Sequence, residues 1–556
     1  PLAMDLELTV DPAARGFSGT ARLRIRLEKP QRYIDLHGKG LDVHKITVTP
    51  DGGAPVAGTW QSVSESGVAR ITFPRELAPG AMTVAIDYSA PWGQLDSGLY
   101  LPPQACVPYA FTQFEAIRAR LAFPCFDEPA YKVPHRLALR VPRGAKAIAN
   151  TPQVRRTRID ETMDRVEFAE TLPIPVYLLA FAVGDFDIVE AKAIAPNAVR
   201  SAPVPLRGVA PRGRGKEMAY MLGRAGAYVA ELEAYTGIPY PYGKLDLIAV
   251  PGKGGAMENP GAITFLETEL LVDEGARTAT ELSFHNHILA HELAHQWFGN
   301  LVTARYWDDI WLNEAFATWA QMRVQERVQP DAHSRSDAFS SGQRVIDMEG
   351  FGRVRRIREP IVHAGDIELA FDDVTYAKGG AVLGMVEQWV GVDAFQKAVR
   401  SYLKAHAHGA ATADDFYAAV AAAGPRGSEG VATLRAFVER AGAPRITVST
   451  TCTGGKGGVV VRQVRFAGPG AGEPKAEANA HAPWAVPVCG IADVKGRIQP
   501  WCTFLDKPEA TVPLEGCAAW ALPGRDAVGY YAYSVDSDTS ARIVKALPRM
   551  TAPDKL

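Results

Sequence analysis

Through the first third of the chain, hydrophobic and polar positions alternate with period two in short runs. Examples are GTARLRIRL (19–27), YIDLHG (33–38), ARITF (69–73), MTVAIDY (82–88) and RLALRVP (136–142), separated by Gly, Pro and Asp. Alternation with frequent turn residues predicts an antiparallel β domain over residues 1–191. The Pro-, Arg- and Gly-rich stretch 195–215 reads as a link or long loop. From Lys216 the spacing becomes helical and stays so to about Gly442, with strand-like KLDLIAVP (244–251) and AITFLE (262–267) between helices. Alternation returns to about Val535, and TSARIVKALPRMTAPDKL (539–556) reverts to helical spacing. The pattern is that of a multidomain α+β protein: β-rich at the start, mostly helical over 192–442, β-rich over 443–536 and helical over 537–556.

Composition narrows the function classes. Of 556 residues, 47% are apolar and 22% charged, which excludes wholesale disorder. A net charge of −2 argues against nucleic acid or an anionic membrane as the main partner. The longest apolar stretch, 176–184, is far short of the about 20 residues that span a bilayer. Six cysteines are present, Cys106, Cys125, Cys452, Cys489, Cys502 and Cys517. The last four cluster, which fits either two disulfides in an oxidising compartment or buried thiols in a β-rich core. Cys489 with Cys502 can staple a hairpin through DVKGR, and a secreted or periplasmic location is expected, with the cytoplasm as the alternative. TGGKGG (453–458) lacks the Ser or Thr and the following helix of a phosphate loop and reads as a hairpin turn. Arg353, Arg355, Arg356 and Arg358 read as a solvated face.

The sharpest chemical signal is HELAHQWFGN (291–300), within a helical run beginning near Glu281. His291 and His295 project from one helix face about 6 Å apart along the axis, so both imidazoles can reach one ion. Glu292 follows the first histidine, where a carboxylate can act as general base on a water. His285 and His287 lie on the same run, but the pair His287/His291 has Ile288 where His291/His295 has Glu292. In WDDIWLNEAFATW (307–319), Glu314 follows His295 by nineteen positions on a second helical pattern. Two histidines and one glutamate leave a fourth zinc position open, the arrangement of a catalytic rather than a structural site.

These residues resemble the zinc aminopeptidases that include aminopeptidase N and leukotriene hydrolase, the gluzincins. The shared motifs are TQFEAIRARLAFPCFDEP (112–129), GGAMENPGAITF (254–265), HELAHQWFGN with WLNEAFATW, and TYAKGG (375–380), in family order across most of the chain. The resemblance implies a thermolysin-like catalytic domain over 192–442, a β-sandwich over 443–536, and at 537–556 the beginning of a larger helical domain that this chain lacks. It implies one zinc ion per chain and peptide substrates with a free N-terminus. In Gly255, Ala256, Met257, Glu258 and Asn259, small residues let a backbone edge pair with an extended peptide. Glu258 and, by resemblance, Glu115 bind the substrate's α-ammonium, and Tyr376 donates a hydrogen bond to the tetrahedral oxyanion. By local sequence alone Glu258 sits in a tight turn and Tyr376 is an ordinary helix-start aromatic.

Three positions depart from the family pattern. Ala315 stands where Gly is common and Pro260 where Trp is common, while Gly254 hints at a roomy first side-chain pocket. Three alternatives remain open in the sequence. One is a bifunctional aminopeptidase and epoxide hydrolase; the longer TQFE motif and the β region after Gly442 look more like aminopeptidase N. A zinc endopeptidase is disfavoured by the amine-binding glutamates. A catalytically silent peptide-binding member is expected to have lost ligands or base, and here each position is filled.

Overall fold

The computed structural model describes residues 1–103, 108–332, 334–352, 354–468, 482–551 and 555. Cys106 and Arg353 lie outside the described residues. The chain divides into two compact units, residues 1–306 with 406–410, and residues 307–405 with 411–556. No helix among the described residues is long and apolar enough to cross a membrane.

The first unit opens with the β domain that alternation predicts. Ala3–Thr9 pairs antiparallel with Gly16–Leu27 and parallel with His135–Pro142, at the centre of an eight-stranded sheet. Its burial alternates residue by residue, as one buried and one wetter face require. A four-stranded sheet orders Lys146–Ala149, Phe181–Gly184, Ala110–Gln113 and Gly98–Tyr100. A five-stranded sheet follows, ordered Phe186–Glu190, Leu206–Pro211, Leu245–Val250, Ala262–Leu266 and Ala256–Met257. Leu245–Val250 is buried at every position because both neighbours run parallel to it and both faces are covered. Tyr109, Phe111, Phe186, Val209 and Ile248 pack as one buried cluster between the four- and five-stranded sheets.

Two features differ from the sequence reading. The stretch expected to be a link at 195–215 contains the strand Leu206–Pro211, paired antiparallel with Phe186–Glu190 and parallel with Leu245–Val250. Prolines at both ends of a six-residue run mask its periodicity, and its neighbours supply its burial. Phe186–Glu190, read with the first β domain, therefore belongs to the sheet that carries the site.

Helix Ala219–Thr236 ends at Gly237, whose φ of +68° is the left-handed cap that glycine adopts without strain. Helix Ala279–Ala294 starts at a capping box, in which Thr278 accepts from the Glu281 N–H and Glu281 accepts from the Thr278 N–H.

The second unit starts with helices Trp311–Val328, Ser334–Gly350, Gly379–Val390, Val392–Ala405, Ala413–Ala421 and Gly427–Val438. Phe316 packs edge-on to Phe416 and parallel to Tyr402 at their centre. Two antiparallel-rich sheets follow, one of four strands around Pro444–Thr453 and Lys456–Arg465, the other of three around Val486–Val494. In TGGKGG, Gly454 and Gly455 form the turn joining Pro444–Thr453 to Lys456–Arg465. Disulfides join Cys452 to Cys517 and Cys489 to Cys502, the latter directly opposite each other across a strand pair. Helix Ser537–Ala546 packs on Ala518–Pro523, and Ala546 and Met550 share a cluster with Ile491 and Trp520.

Two of the arginines read as a solvated face, Arg355 and Arg358, are instead partnered. Arg355 donates to Asp372, to Thr375 Oγ1 at 2.6 Å and to backbone carbonyls, and Arg358 pairs with Asp308 and Asp309 at 3.0 and 2.7 Å. The acidic partners lie 17 and about 50 positions away, beyond the reach of any local charge pattern.

The first unit also carries an acid-sensitive group. His135 is 1% exposed, its Nε2 lies 2.9 Å from Ile174 O, and its Nδ1 is buried without a hydrogen-bond partner. Burial pushes its pKa down to about 4, the Ile174 contact opposing this only in part. The unfolded chain, with histidine near 6.5, takes up more protons between about pH 6.5 and pH 4, so stability present above that window is lost as pH falls through it. The loss reaches about 3 kcal/mol. Urea unfolding checks this: His135→Gln is expected to lose less of its midpoint between about pH 7 and pH 4 than the unaltered chain does.

Candidate functional site

The site grows from one edge of the five-stranded sheet. Ala256–Met257 pairs antiparallel with Ala262–Leu266 on one side only, so its other edge has no strand partner among the described residues. Gly255 precedes it with φ +67°, a turn conformation that brings exposed backbone to that edge. Leu266 N–H donates to Gly255 O at 2.8 Å, and Asn259, 3% exposed, accepts at its backbone O from Ala262 N–H at 2.9 Å. Such an edge can take an extended chain by strand addition.

Glu258 turns inward directly after this edge. Its backbone carbonyl accepts from Gln296 Nε2 at 2.9 Å and from Asn300 Nδ2 at 2.7 Å. Both donors come from HELAHQWFGN, so one motif fixes the other. Glu258 and Glu115 place carboxylate oxygens within 4.8 Å of each other, and Glu258 Oε1 lies 3.8 Å from His295 Nδ1. Two carboxylates this close repel unless a cation joins them.

His291 lies in the last turn of helix Ala279–Ala294, and His295 is its C-cap rather than an interior residue. Their Nε2 atoms are 3.0 Å apart and their rings are nearly perpendicular, at 80°. His295 Nδ1 lies 2.9 Å from Phe298 O, and since a carbonyl only accepts, Nδ1 carries the proton and Nε2 the lone pair. An imidazole held by its other nitrogen in this way is the usual state of a metal ligand, so the pair fits a divalent ion. His285 points elsewhere, its Nδ1 donating to Glu269 O at 2.8 Å. Glu292 shares the helix with His291 and is 6% exposed.

The second unit holds the other two candidates. Glu314 is 3% exposed in the first turn of helix Trp311–Val328, where the helix dipole favours a carboxylate. Ala315 beside it faces Gly379, where an added Cβ would meet the Ala315 Cβ at 2.5 Å, so small residues are required on both sides. Tyr376 lies in a π-turn, Val374–Lys378, rather than at an ordinary helix start. That turn is pinned from below. Lys378, fully buried, donates to Glu349 at 2.7 Å and to Gly442 O at 3.1 Å, and Tyr530 OH donates to Glu349 at 2.8 Å.

Sequence reasoning missed two groups beside the glutamates. Lys253, 4% exposed, donates to Gln113 Oε1 at 2.7 Å, and Gln113 Nε2 reaches Met257 Sδ at 3.4 Å. Burial lowers the Lys253 pKa, while Asp96, Glu292, Glu115 and Glu258 oppose that shift. The available signal was the two-residue spacing of Gln113 and Glu115, which in extended chain puts both on one face.

Comparisons with known proteins point to one family. Residues 1–178 match the peptidase M1 N-terminal domain and residues 220–439 the peptidase family M1 domain. Aminopeptidase M1-B of Oryza sativa subsp. japonica is 29% identical over 586 residues, covering 100% of this chain and 63% of the relative. Aminopeptidase M1 of Arabidopsis thaliana is 29% identical over 577 residues, covering 98% and 62%. Endoplasmic reticulum aminopeptidase 1 of Homo sapiens is 30% identical over 457 residues, covering 79% and 47%. The chain thus spans between about half and two thirds of the length of these curated relatives.

Proposed function

The chain belongs to peptidase family M1, and we propose that it is a zinc-dependent aminopeptidase that removes the N-terminal residue from peptides. The observation that carries this reading is the adjacency, in one unit, of a histidine pair suited to a metal and a carboxylate pair suited to a free ammonium. An endopeptidase has no use for the second pair. The relatives' names, all aminopeptidases, support the same reading over an epoxide hydrolase or a silent binding protein.

In this proposal His291, His295 and Glu314 hold one zinc ion. Zinc, when bound, supplies Lewis acidity and lowers the pKa of water from 15.7 to about 7. The chain's own residues do the rest. Glu258 and Glu115 bind the α-ammonium and set the register of the first peptide bond. The edge of Gly255, Ala256 and Met257 pairs with the substrate backbone, and the Glu258 carbonyl, held by Gln296 and Asn300, keeps that edge in place. Glu292 takes a proton from the attacking water at its carboxylate and returns it to the leaving amine. Tyr376 OH donates to the developing oxyanion, and its π-turn, pinned through Lys378 and Glu349, fixes its direction. Tyr376→Phe removes one such donor, so kcat is expected to fall about 10²–10³-fold with KM little changed, as steady-state kinetics reads directly.

The two disulfides support a secreted or periplasmic location, since such bonds persist in oxidising compartments. The proposed activity is tested with a panel of aminoacyl reporter substrates, with and without chelator. Hydrolysis that chelation abolishes and zinc restores supports it; hydrolysis indifferent to chelation, or none, sinks it.

A further inference from the structure

Lys132 follows Glu115 closely in the chain, and three backbone carbonyls converge on its side chain. Its ammonium donates to Asn300 O at 2.9 Å, to Leu301 O at 3.0 Å and to Gly409 O at 3.2 Å. An ammonium has three donors and no acceptor, so the three carbonyls use all of them. Burial alone pushes its pKa down to about 7. Two of the carbonyls lie at the end of the histidine motif, because Asn300 is the last residue of HELAHQWFGN and Leu301 follows it. Asn300 joins three parts of the site. Its backbone N–H donates to His295 O at 3.0 Å, its Nδ2 to Glu258 O at 2.7 Å, and its backbone O accepts from Lys132. The gripped loops are laced together as well, Leu301 O accepting from His408 N–H at 2.8 Å and Gly409 O from Thr303 N–H at 3.2 Å. All of these residues, with Glu115, belong to the first unit.

The chain between Glu115 and Lys132 is clamped. Arg120 and Asp127, 5% and 1% exposed, form an ion pair at 2.7 Å. Asp127 Oδ2 also accepts from the Arg120 N–H at 3.2 Å, and Asp127 O accepts from Arg120 Nη2 at 3.0 Å. Closer to Glu115, Arg118 N–H donates to Phe114 O at 2.8 Å. A buried, hydrogen-bonded ion pair in low dielectric ties its two backbone segments firmly. Fastening Lys132 to Asn300 therefore also fastens Glu115, at the other end of the clamped segment, relative to Glu258 and the histidine motif. The hydrolytic steps use none of Arg120, Asp127 or Lys132.

We propose that Lys132 is a positioning residue: by gripping Asn300 it holds the ammonium-binding Glu115 at its working distance from the His291/His295 pair. The inference rests on the aminopeptidase reading and goes beyond it. A ligand that engages an ammonium site and a metal site at once gains from the second contact only when the two are correctly spaced. Misplacement by about 1 Å is enough to cost such a ligand much of that gain. A ligand that engages the metal alone is indifferent to the spacing.

The test measures binding rather than turnover. Leucine hydroxamate and N-acetyl-leucine hydroxamate are titrated calorimetrically into the zinc-loaded chain at pH 6.5, where the Lys132 ammonium form predominates. The two ligands share the metal-binding group and the side chain, and only the first has a free ammonium. The unaltered chain is expected to bind the first about 10²-fold more tightly or better. In Lys132→Met that gap is expected to narrow about tenfold, and in the milder Lys132→Gln, which keeps an N–H donor, about threefold. The acetylated ligand is expected to bind both variants as it binds the unaltered chain. The fitted stoichiometry reports the folded fraction, so partial misfolding does not enter the affinities. A gap unchanged in either variant overturns the proposal and leaves Lys132 as a structural tie; so does a gap that narrows only because the acetylated ligand binds more tightly. Equal affinity for the two ligands in the unaltered chain, or no binding of either, overturns the aminopeptidase reading itself, and that is seen before any variant is made.

Discussion

Glu292→Gln is expected to lower kcat for aminoacyl reporters by about 10²–10⁴-fold while leaving the zinc content at one per chain. Glutamine keeps the size and the hydrogen-bonding reach of the side chain but has no basic oxygen to accept the proton of the attacking water. The carboxylate is buried on the same helix as His291, adjacent to it in sequence, so its substitution changes the base and not the ligands. Elemental analysis and steady-state kinetics on the same preparation separate the two effects. A variant that binds zinc and keeps full activity would remove Glu292 from the mechanism.

The second large effect concerns the substrate rather than the enzyme. Acetylating the N-terminus of a peptide is expected to reduce kcat/KM by at least about 10³-fold, because in the proposed function Glu115 and Glu258 bind the ammonium that the acetyl cap removes. Glu115 and Glu258 hold carboxylate oxygens within 4.8 Å of each other, and in the proposed function a free ammonium binds between them. Without it, the charge-assisted hydrogen bonds between the ammonium and the two carboxylates are lost, at about 1.5–3 kcal/mol each. Glu258→Gln is expected to raise KM for free peptides and to shrink the gap between free and acetylated forms. Equal hydrolysis of both forms by the unaltered chain would point to an endopeptidase.

Much of this was legible in the sequence, for reasons that differ by element. The strands Ala3–Thr9 and Gly16–Leu27 announce themselves because one buried face imposes period two on a long stretch. The histidine pair proposed to hold the metal was legible because a helix converts a four-residue spacing into a shared face. Glu115, Glu258 and Tyr376 were not legible from spacing. They are far apart in the chain, and only resemblance to a family drew attention to them. Leu206–Pro211 was hidden because proline removes the local signature that its sheet neighbours later override. Arg355 and Arg358 looked like solvated charges because their acidic partners are supplied by folding, not by neighbours in sequence. Lys253 was invisible for a related reason: a lysine between glycines reads as a surface loop, and its burial comes from Gln113, contributed by a strand 140 positions earlier.

The central claim is that a metal-binding pair and an ammonium-binding pair work on one substrate. It is tested most directly by following a peptide with a free N-terminus and its acetylated twin, each with the zinc-loaded chain and with the chelated chain. The account predicts stepwise loss of N-terminal residues from the free peptide by the zinc-loaded chain alone, and no cleavage in the other three combinations. Internal cleavage, cleavage of the acetylated peptide, or removal of N-terminal residues after chelation would contradict it.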